Sequence, residues 1–143
     1  MTLDVRRLLR AASALPALFL LPAVLAQQPP STAIGPATAC TPQVCTITVR
    51  INGHCLAPQG VTVDPPVATT SQPVILRWKL DHGSYEFNED GIAFDQIAQF
   101  EKLPSPNYIR EQRIQDSKTR TGDFRYVVRI RGCPDTAAII RHE

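Results

Sequence analysis

Three of the chain's four cysteines lie within sixteen residues, from Cys40 to Cys55, in the stretch CTPQVCTITVRINGHC, and the fourth is Cys133. An even number of cysteines in a small chain predicts disulfides where the compartment is oxidising. The spacing contains neither the C-x-x-C-H of haem attachment nor the C-x-x-C of redox enzymes. A zinc site made of all four thiolates is the alternative, although a C-x4-C spacing lies at the edge of the usual range. We therefore predict two disulfides.

The dipeptide Asn-Gly at residues 52–53 is a strong signal for a two-residue hairpin turn. Such a turn would place Cys55 at the turn end of a hairpin. Cys45 would then lie at the far end of the first strand, about 20 Å away at ~3.3 Å per residue, so these two cysteines are not expected to pair. The prediction is therefore Cys40–Cys45 with Cys55–Cys133. A bond between Cys40 and Cys133 is the main alternative.

Residues 1–26 have the pattern of a secretory signal peptide. Three arginines form a basic region, an apolar run follows over residues 15–25, and the segment ends in Val-Leu-Ala. The run is shorter than the ~20 residues that cross a bilayer, and prolines interrupt it. We expect a periplasmic or secreted protein whose mature chain has no membrane anchor.

The charge of the chain changes once this leader is removed. The leader holds three of the fifteen Lys and Arg residues and one of the thirteen Asp and Glu residues, which leaves twelve of each sign. A neutral mature chain gives no reason to expect nucleic acid as a partner. Residues 27–39 are rich in Pro, Ala and Thr and are predicted to be flexible, so the folded part is predicted as one domain over residues 40–143.

Apolar and polar residues alternate in several segments, which predicts half-buried β-strands. The alternation is clear over residues 46–51, 74–80 and 124–131, and it is less regular over residues 60–63, 108–114 and 136–140. A hairpin is expected over residues 85–94, with its turn at residues 88–91. One or two helical turns are compatible with residues 95–102. Many short strands with Gly and Pro between them predict an all-β fold, a Greek-key β-sandwich of about seven strands with two disulfides.

The order TITVRING, VILRWKL, YEFNEDGIAF and FRYVVRIRGC resembles small exported bacterial proteins with a cupredoxin-like or immunoglobulin-like β-sandwich. The resemblance covers about residues 45–133 and implies that Trp78 and Tyr126 are core aromatics. It implies a fold more than a function.

A cupredoxin copper site would need two His and one Cys, commonly with an axial Met, and in that family His and Met closely follow the later Cys. Here Cys133 is followed by Pro-Asp-Thr, and the chain's only methionine is Met1. We therefore predict no cofactor. A surface metal site using His54 or His82 remains as an alternative.

Residues 81–101 contain six Asp or Glu residues and no Lys or Arg. A calcium loop beginning at Glu86 would need an oxygen ligand at its twelfth position, where Ile97 stands, so a turn is the better interpretation. Three arginines share one face of the strand over residues 124–131. Together these features predict a surface for a protein or small ligand, and its candidate residues are Tyr85, Glu89, Asp90, Arg125, Arg129 and Arg131. The alternative is that this is an ordinary solvated sheet face.

Motifs of nucleophilic catalysis and of phosphate binding are missing, since no serine stands in G-x-S-x-G and no phosphate loop is present. The expected function is an exported binding or accessory module without catalysis, whose partner is an unidentified protein or small ligand of the cell envelope. One alternative is a cupredoxin-related metal-binding protein using the surface histidines. The other is a secreted hydrolase using one of four serines, namely Ser71, Ser84, Ser105 and Ser117.

Overall fold

The computed structural model describes residues 36–96 and 98–143, so the predicted signal peptide, most of the proline-rich segment and Ile97 lie outside the described residues. Within these ranges the chain forms ten β-strands and no helix. The strands are β1 (Ala37–Ala39), β2 (Val44–Ile51), β3 (Val61–Asp64), β4 (Val67–Thr70), β5 (Val74–Asp81), β6 (Phe87–Phe94), β7 (Phe100–Leu103), β8 (Glu111–Asp116), β9 (Gly122–Ile130) and β10 (Thr136–His142).

The strands form two five-stranded sheets that pack face to face. Their orders are β1-β4-β10-β9-β6 and β3-β2-β5-β8-β7, and most connections cross from one sheet to the other. Both sheets contain parallel neighbours, because β2 runs parallel to β5 and β4 runs parallel to both β1 and β10. The predicted Greek-key β-sandwich with two disulfides is confirmed, with ten strands in place of about seven.

The core lies between the sheets and follows the alternation of the sequence. In β5 every second side chain from Val74 onward is buried, and in β9 every second one from Phe124 onward is buried. Trp78 of β5 and Tyr126 of β9 are both fully buried, and their rings meet edge to face with centroids 5.2 Å apart. Burial of one such side chain contributes about 1.5–3 kcal/mol. The two predicted core aromatics therefore join the two sheets.

The disulfides are Cys40–Cys45 and Cys55–Cys133, as predicted. The first ties the end of β1 to the start of β2, and the second ties the loop after β2 to the loop between β9 and β10. Because β2 and β9 belong to different sheets, the second disulfide connects the two sheets covalently. Two disulfides indicate an oxidising compartment. Over the described ranges, no helix has the length and apolar character needed to cross a bilayer.

Alternation located most strands correctly. The segments predicted over residues 46–51, 60–63, 74–80, 124–131 and 136–140 correspond to β2, β3, β5, β9 and β10. The less regular segment over residues 108–114 contains the start of β8. Ordered structure begins earlier than predicted, because Ala37–Ala39 of the proline-rich segment forms β1 beside β4.

The predicted two-residue turn at residues 52–53 is wrong, although β2 and β3 do pair as an antiparallel hairpin. The loop extends over residues 52–60 and closes where the Asn52 N–H donates to the Gly60 carbonyl at 2.8 Å. The Asn52 side chain also donates to the Gln59 carbonyl at 3.1 Å. A Cβ on Gly60 would lie 2.3 Å from the His54 carbonyl oxygen. The close backbone packing of this loop therefore needs glycine at its last position.

The predicted hairpin over residues 85–94 and the predicted helical turns over residues 95–102 are also wrong. The first segment continues as the single strand β6, whose register against β9 shifts between Phe87 and Ile92, so that its turn residues form a bulge. The second contains the start of β7, where the Phe100 ring stacks on the Phe94 ring with centroids 3.8 Å apart. Burial of aromatic rings has overridden the local turn and helix signals.

Candidate binding surface

The six residues predicted to form a binding surface lie along one edge of the first sheet. Glu89 and Asp90 belong to β6, Arg125 and Arg129 belong to its neighbour β9, and the remaining two flank these strands. The acidic and basic residues therefore lie on adjacent strands.

Most of these charges pair with one another. The Arg129 guanidinium donates to the Asp90 carboxylate and lies 3.5 Å from that of Asp135, while Arg131 lies 3.2 Å from Glu86. Hydrogen bonding to Asp90 raises the pKa of Arg129. The pairs are largely exposed, so each contributes little to stability. This edge consequently presents paired charges rather than a cationic stripe, and among the described residues only Arg125 of its three arginines has no ion-pair partner.

Tyr85, the remaining candidate, lies in the loop over residues 82–86. Its ring packs edge to face on His82 with centroids 5.0 Å apart. The His82 ring nitrogen Nδ1 accepts a hydrogen bond from the Ser84 backbone N–H at 3.2 Å. The aromatic pair and this short turn give the loop a defined shape.

Arg110 holds the same loop from outside. Its guanidinium donates to the Tyr85 carbonyl at 2.7 Å, to the Leu80 carbonyl at 3.2 Å and to the carbonyl of His82. The backbone adds a further link, because the Phe87 N–H donates to the Ile109 carbonyl at 2.8 Å. Guanidinium has a rigid fork of donors, so one half-buried side chain fixes three backbone groups at once.

Four loops lie at one end of the sandwich, which we call the loop end, and they cover residues 52–60, 82–86, 104–110 and 131–135. The strand registers place the first three together, since Arg50 pairs with Asp81 and Lys79 pairs with Glu111. The fourth is joined to the first by the Cys55–Cys133 bond. A disulfide and a three-pronged arginine therefore hold the loops at this end.

The most exposed large apolar side chains in the described part of the chain are both at the loop end. Leu56 is 63% exposed and Tyr108 is 57% exposed. One exposed leucine on a surface is ordinary. Two such side chains on firmly held loops at one end form a candidate contact surface. Sequence reasoning missed both residues, because it did not predict that their loops share one end of the fold.

His54 and His82 also lie at the loop end, on different loops. The Nδ1 atom of His54 accepts a hydrogen bond from the Leu56 backbone N–H at 3.2 Å, as that of His82 does in its own turn. Over the part of the chain that the structure describes, no three or more His, Cys, Asp or Glu side chains assemble into a metal-binding group. The metal alternative therefore gains no ligand set from the geometry.

No family model matches the chain, and a search of curated proteins finds no match either.

A buried polar cluster that the sequence did not reveal lies at the opposite end of the sandwich. The Nε2 atom of His142 is 2.7 Å from Oδ2 of Asp116, and its Nδ1 atom is 2.8 Å from the Arg120 carbonyl oxygen. Both side chains of the pair are completely buried. Lys118 donates its backbone N–H to Oδ1 of Asp116 at 2.9 Å, and Gln99 accepts from the Arg120 N–H at 2.9 Å. Nearly every polar atom of the cluster thus has a partner.

A histidine–aspartate pair is part of the catalytic triad of serine hydrolases. Here the pair is inaccessible to a substrate because it is completely buried. Among the described residues no serine hydroxyl bonds a histidine ring, and Ser117 donates its hydroxyl to the Gln99 carbonyl at 3.2 Å. The three other serines of the hydrolase alternative form no hydrogen bond to this pair either; these are Ser71, Ser84 and Ser105.

The alternation of inward and outward side chains would have placed both His142 and Asp116 in the core if the predicted strands had been longer. In β10 the side chains of Ala138, Ile140 and His142 face inward, and in β8 those of Gln112, Ile114 and Asp116 do. The predicted strands ended at residues 140 and 114, one alternation too early in each case.

Proposed function

We propose that this protein is an exported binding or accessory module that acts without catalysis and engages a protein partner through the loop end. The observation that carries this proposal is that Leu56 and Tyr108 are exposed on loops held by Arg110 and by the Cys55–Cys133 bond. Loops fixed before binding lose less conformational entropy when a partner docks. Tyrosine is also enriched at protein interfaces.

We place this function in the periplasm or outside the cell. The pattern of residues 1–26 supports export, and two disulfides in a small domain support an oxidising compartment. The partner is then a protein of the envelope or of the surroundings. A mature chain with equal numbers of basic and acidic residues favours this class over nucleic acid.

We further propose that the fold is related to the cupredoxins rather than to the immunoglobulins. Immunoglobulin sandwiches consist of two antiparallel sheets, whereas each sheet here contains a parallel pair. The sulfur of Cys133 is bonded to Cys55, so the thiolate that a blue-copper site requires is not free. Metal analysis of protein purified without chelator tests this copper-free assignment, and stoichiometric copper lost on His54→Ala or His82→Ala substitution would support the metal-binding alternative instead.

A site-specific crosslinking experiment tests the proposed surface. A photoreactive residue at position 108 is compared with one at Lys79, which is exposed on the outer face of β5. In the compartment where the protein is exported, we expect a specific protein adduct from position 108 and none from position 79. Adducts of the same proteins from both positions, or none from position 108, would contradict the proposal.

The partner identified in this way allows a quantitative test. Leu56→Ser and Tyr108→Ser should each weaken binding about tenfold or more while leaving urea stability unchanged, because these side chains are solvent-exposed in the free protein. Lys79→Ser provides the matched control and should leave affinity within about twofold. Equal affinities for all three variants would rule out the loop end as the binding surface.

A further inference from the structure

The two sheets are joined by different chemistry at the two ends of the sandwich. At the loop end the Cys55–Cys133 bond connects them covalently. At the opposite end His142, on β10 of the first sheet, contacts Asp116, on β8 of the second sheet. The contact buries both side chains completely.

The hydrogen-bond geometry indicates the charge state of this pair. A backbone carbonyl can only accept, so Nδ1 of His142 must carry a proton to bond the Arg120 oxygen at 2.8 Å. The second ring nitrogen faces Oδ2 of Asp116 at 2.7 Å, where one more proton is needed. The Lys118 backbone N–H donates to the other oxygen of Asp116 at 2.9 Å, which favours the ionised carboxylate, so we assign this proton to the ring.

One competing arrangement exists. The side-chain nitrogen of Gln99 lies 3.3 Å from Nδ1 of His142 and would donate to it if the ring were neutral there. The Gln99 amide orientation is fixed, because its oxygen accepts from the Arg120 N–H at 2.9 Å. An unprotonated Nδ1 would then lie 2.8 Å from the Arg120 carbonyl oxygen, and the lone pairs of the two atoms would repel each other. Protonation of Nδ1 turns this shorter contact into a hydrogen bond and leaves the Gln99 nitrogen as a second donor at the longer distance of 3.3 Å.

We propose that His142 and Asp116 form a buried imidazolium–carboxylate ion pair that acts as a latch between the two sheets, and that its loss opens this end of the sandwich while the disulfide keeps the loop end closed. The rings of Phe124 and Phe100 lie over the imidazole, with centroids 4.7 and 6.0 Å away. They exclude water from the pair, and a charge left without its partner in such a site is strongly destabilising. The latch does not depend on the proposed binding function.

Imidazole nitrogen NMR of the mature protein labelled at histidine tests the charge state near neutral pH. We expect both nitrogens of His142 to have the chemical shifts of protonated nitrogen, and the signal is assigned by its loss in His142→Gln. A ring with one unprotonated nitrogen would overturn the ion pair. This measurement uses the wild-type chain, so it decides the point even if a variant does not fold.

Hydrogen exchange tests the local opening. Asp116→Asn keeps an oxygen acceptor but removes the charge, and the matched control Asp123→Asn removes a charge from the exposed pair with Arg141 on the neighbouring strands. We expect Asp116→Asn to speed exchange of the Ser117 and Arg120 amides, which bond Gln99, by about tenfold or more.

The amide of Asn52 at the loop end should exchange at an unchanged rate in Asp116→Asn, and all three amides should do so in Asp123→Asn. Equal acceleration at both ends of the sandwich would show a general loss of stability and would refute a local latch. Unchanged exchange at Ser117 and Arg120 would refute it as well.

Discussion

The two disulfides close loops of very different length, and this difference makes a quantitative prediction. Cys55–Cys133 spans a sequence separation of 78 and Cys40–Cys45 one of 5. In the chain-entropy model a crosslink stabilises the fold by restricting the unfolded chain, and its effect grows with the logarithm of loop length. The longer loop gives about 4.5 kcal/mol and the shorter about 2 kcal/mol at 25 °C.

The two pairs are well matched for a comparison. Each consists of one buried cysteine, Cys45 or Cys55, and one partly buried cysteine, Cys40 or Cys133. Replacing either pair by alanine therefore removes a similar amount of buried sulfur, and the lost packing nearly cancels in the difference. We expect Cys55→Ala/Cys133→Ala to lower the free energy of unfolding by about 2.5 kcal/mol more than Cys40→Ala/Cys45→Ala does.

Urea unfolding followed by tryptophan fluorescence measures both losses. Trp78 is the chain's single tryptophan and is fully buried between the sheets, so its emission reports on the core. The comparison is valid if the slope against urea is similar in both variants. Equal losses, or a greater loss from the short loop, would refute the assignment of the stabilisation to loop closure across the sandwich.

Three further predictions concern single side chains. Arg110→Lys should lower the free energy of unfolding by about 1.5–3 kcal/mol in urea, because an ammonium group cannot replace a guanidinium that donates to three carbonyls. Arg50→Lys, in the exposed ion pair with Asp64, should change it by less than about 0.5 kcal/mol. Gly60→Ala should lower the free energy of unfolding, measured by heat or urea, by more than about 2 kcal/mol, because the new Cβ would lie 2.3 Å from a backbone oxygen. The control Gly83→Ala places its Cβ in open space and should be nearly neutral. Comparable effects of the two substitutions would contradict the close packing at Gly60. Burial raises the pKa of Tyr126, so stability should fall as the pH rises past the ordinary tyrosine pKa of about 10, where this phenol ionises only in the unfolded chain. Tyr126→Phe should remove this pH dependence. Phenolate absorbance from Tyr126 in the folded protein would contradict the prediction.

Alternation of apolar and polar residues was enough to predict the sandwich because it is a local property that reports which face of a strand is buried. It located β5 and β9 with their inward residues, including Trp78 and Tyr126. The disulfide pairing was also predicted correctly, although from a turn that does not exist. The distance between Cys45 and Cys55 is nevertheless large, because Cys45 lies near the start of β2 and Cys55 lies beyond its end.

The two turn predictions failed for a physical reason. Residues that favour positive φ or local hydrogen bonds serve two-residue turns, longer loops and bulges alike. Gly53 has a φ of 70°, as a hairpin turn requires, but it opens a nine-residue loop. Gly91 lies where a Cβ would be 2.8 Å from that of Phe87, so it permits a bulge in place of a reversal. Long-range packing decides among these outcomes, and no local pattern encodes it.

The candidate surface could be predicted only as a set of residues. Which acidic side chain meets which arginine depends on the register of β6 against β9, and the bulge in β6 shifts that register. The pairing of Arg129 with Asp90 therefore could not be derived from spacing. Exposure of Leu56 and Tyr108 at one end likewise follows from the order of strands in the sheets and not from their neighbours in sequence.

For the proposed binding function, the pairing of charges predicts the association rate and its dependence on salt. Residues 27–143 hold equal numbers of acidic and basic residues, and at the loop end Glu86 pairs with Arg131 while Arg110 is half-buried against backbone carbonyls. Electrostatic steering needs an unbalanced field, so association through Leu56 and Tyr108 should proceed at about 10⁵–10⁶ M⁻¹s⁻¹ and change little with salt. Surface plasmon resonance with the partner identified by crosslinking, at low and at high salt, measures the association rate and its salt dependence. A rate that falls steeply as salt rises would mean that the partner contacts charged residues, with the unpaired Arg125 as the first to substitute, and that the apolar loop end is not the main contact.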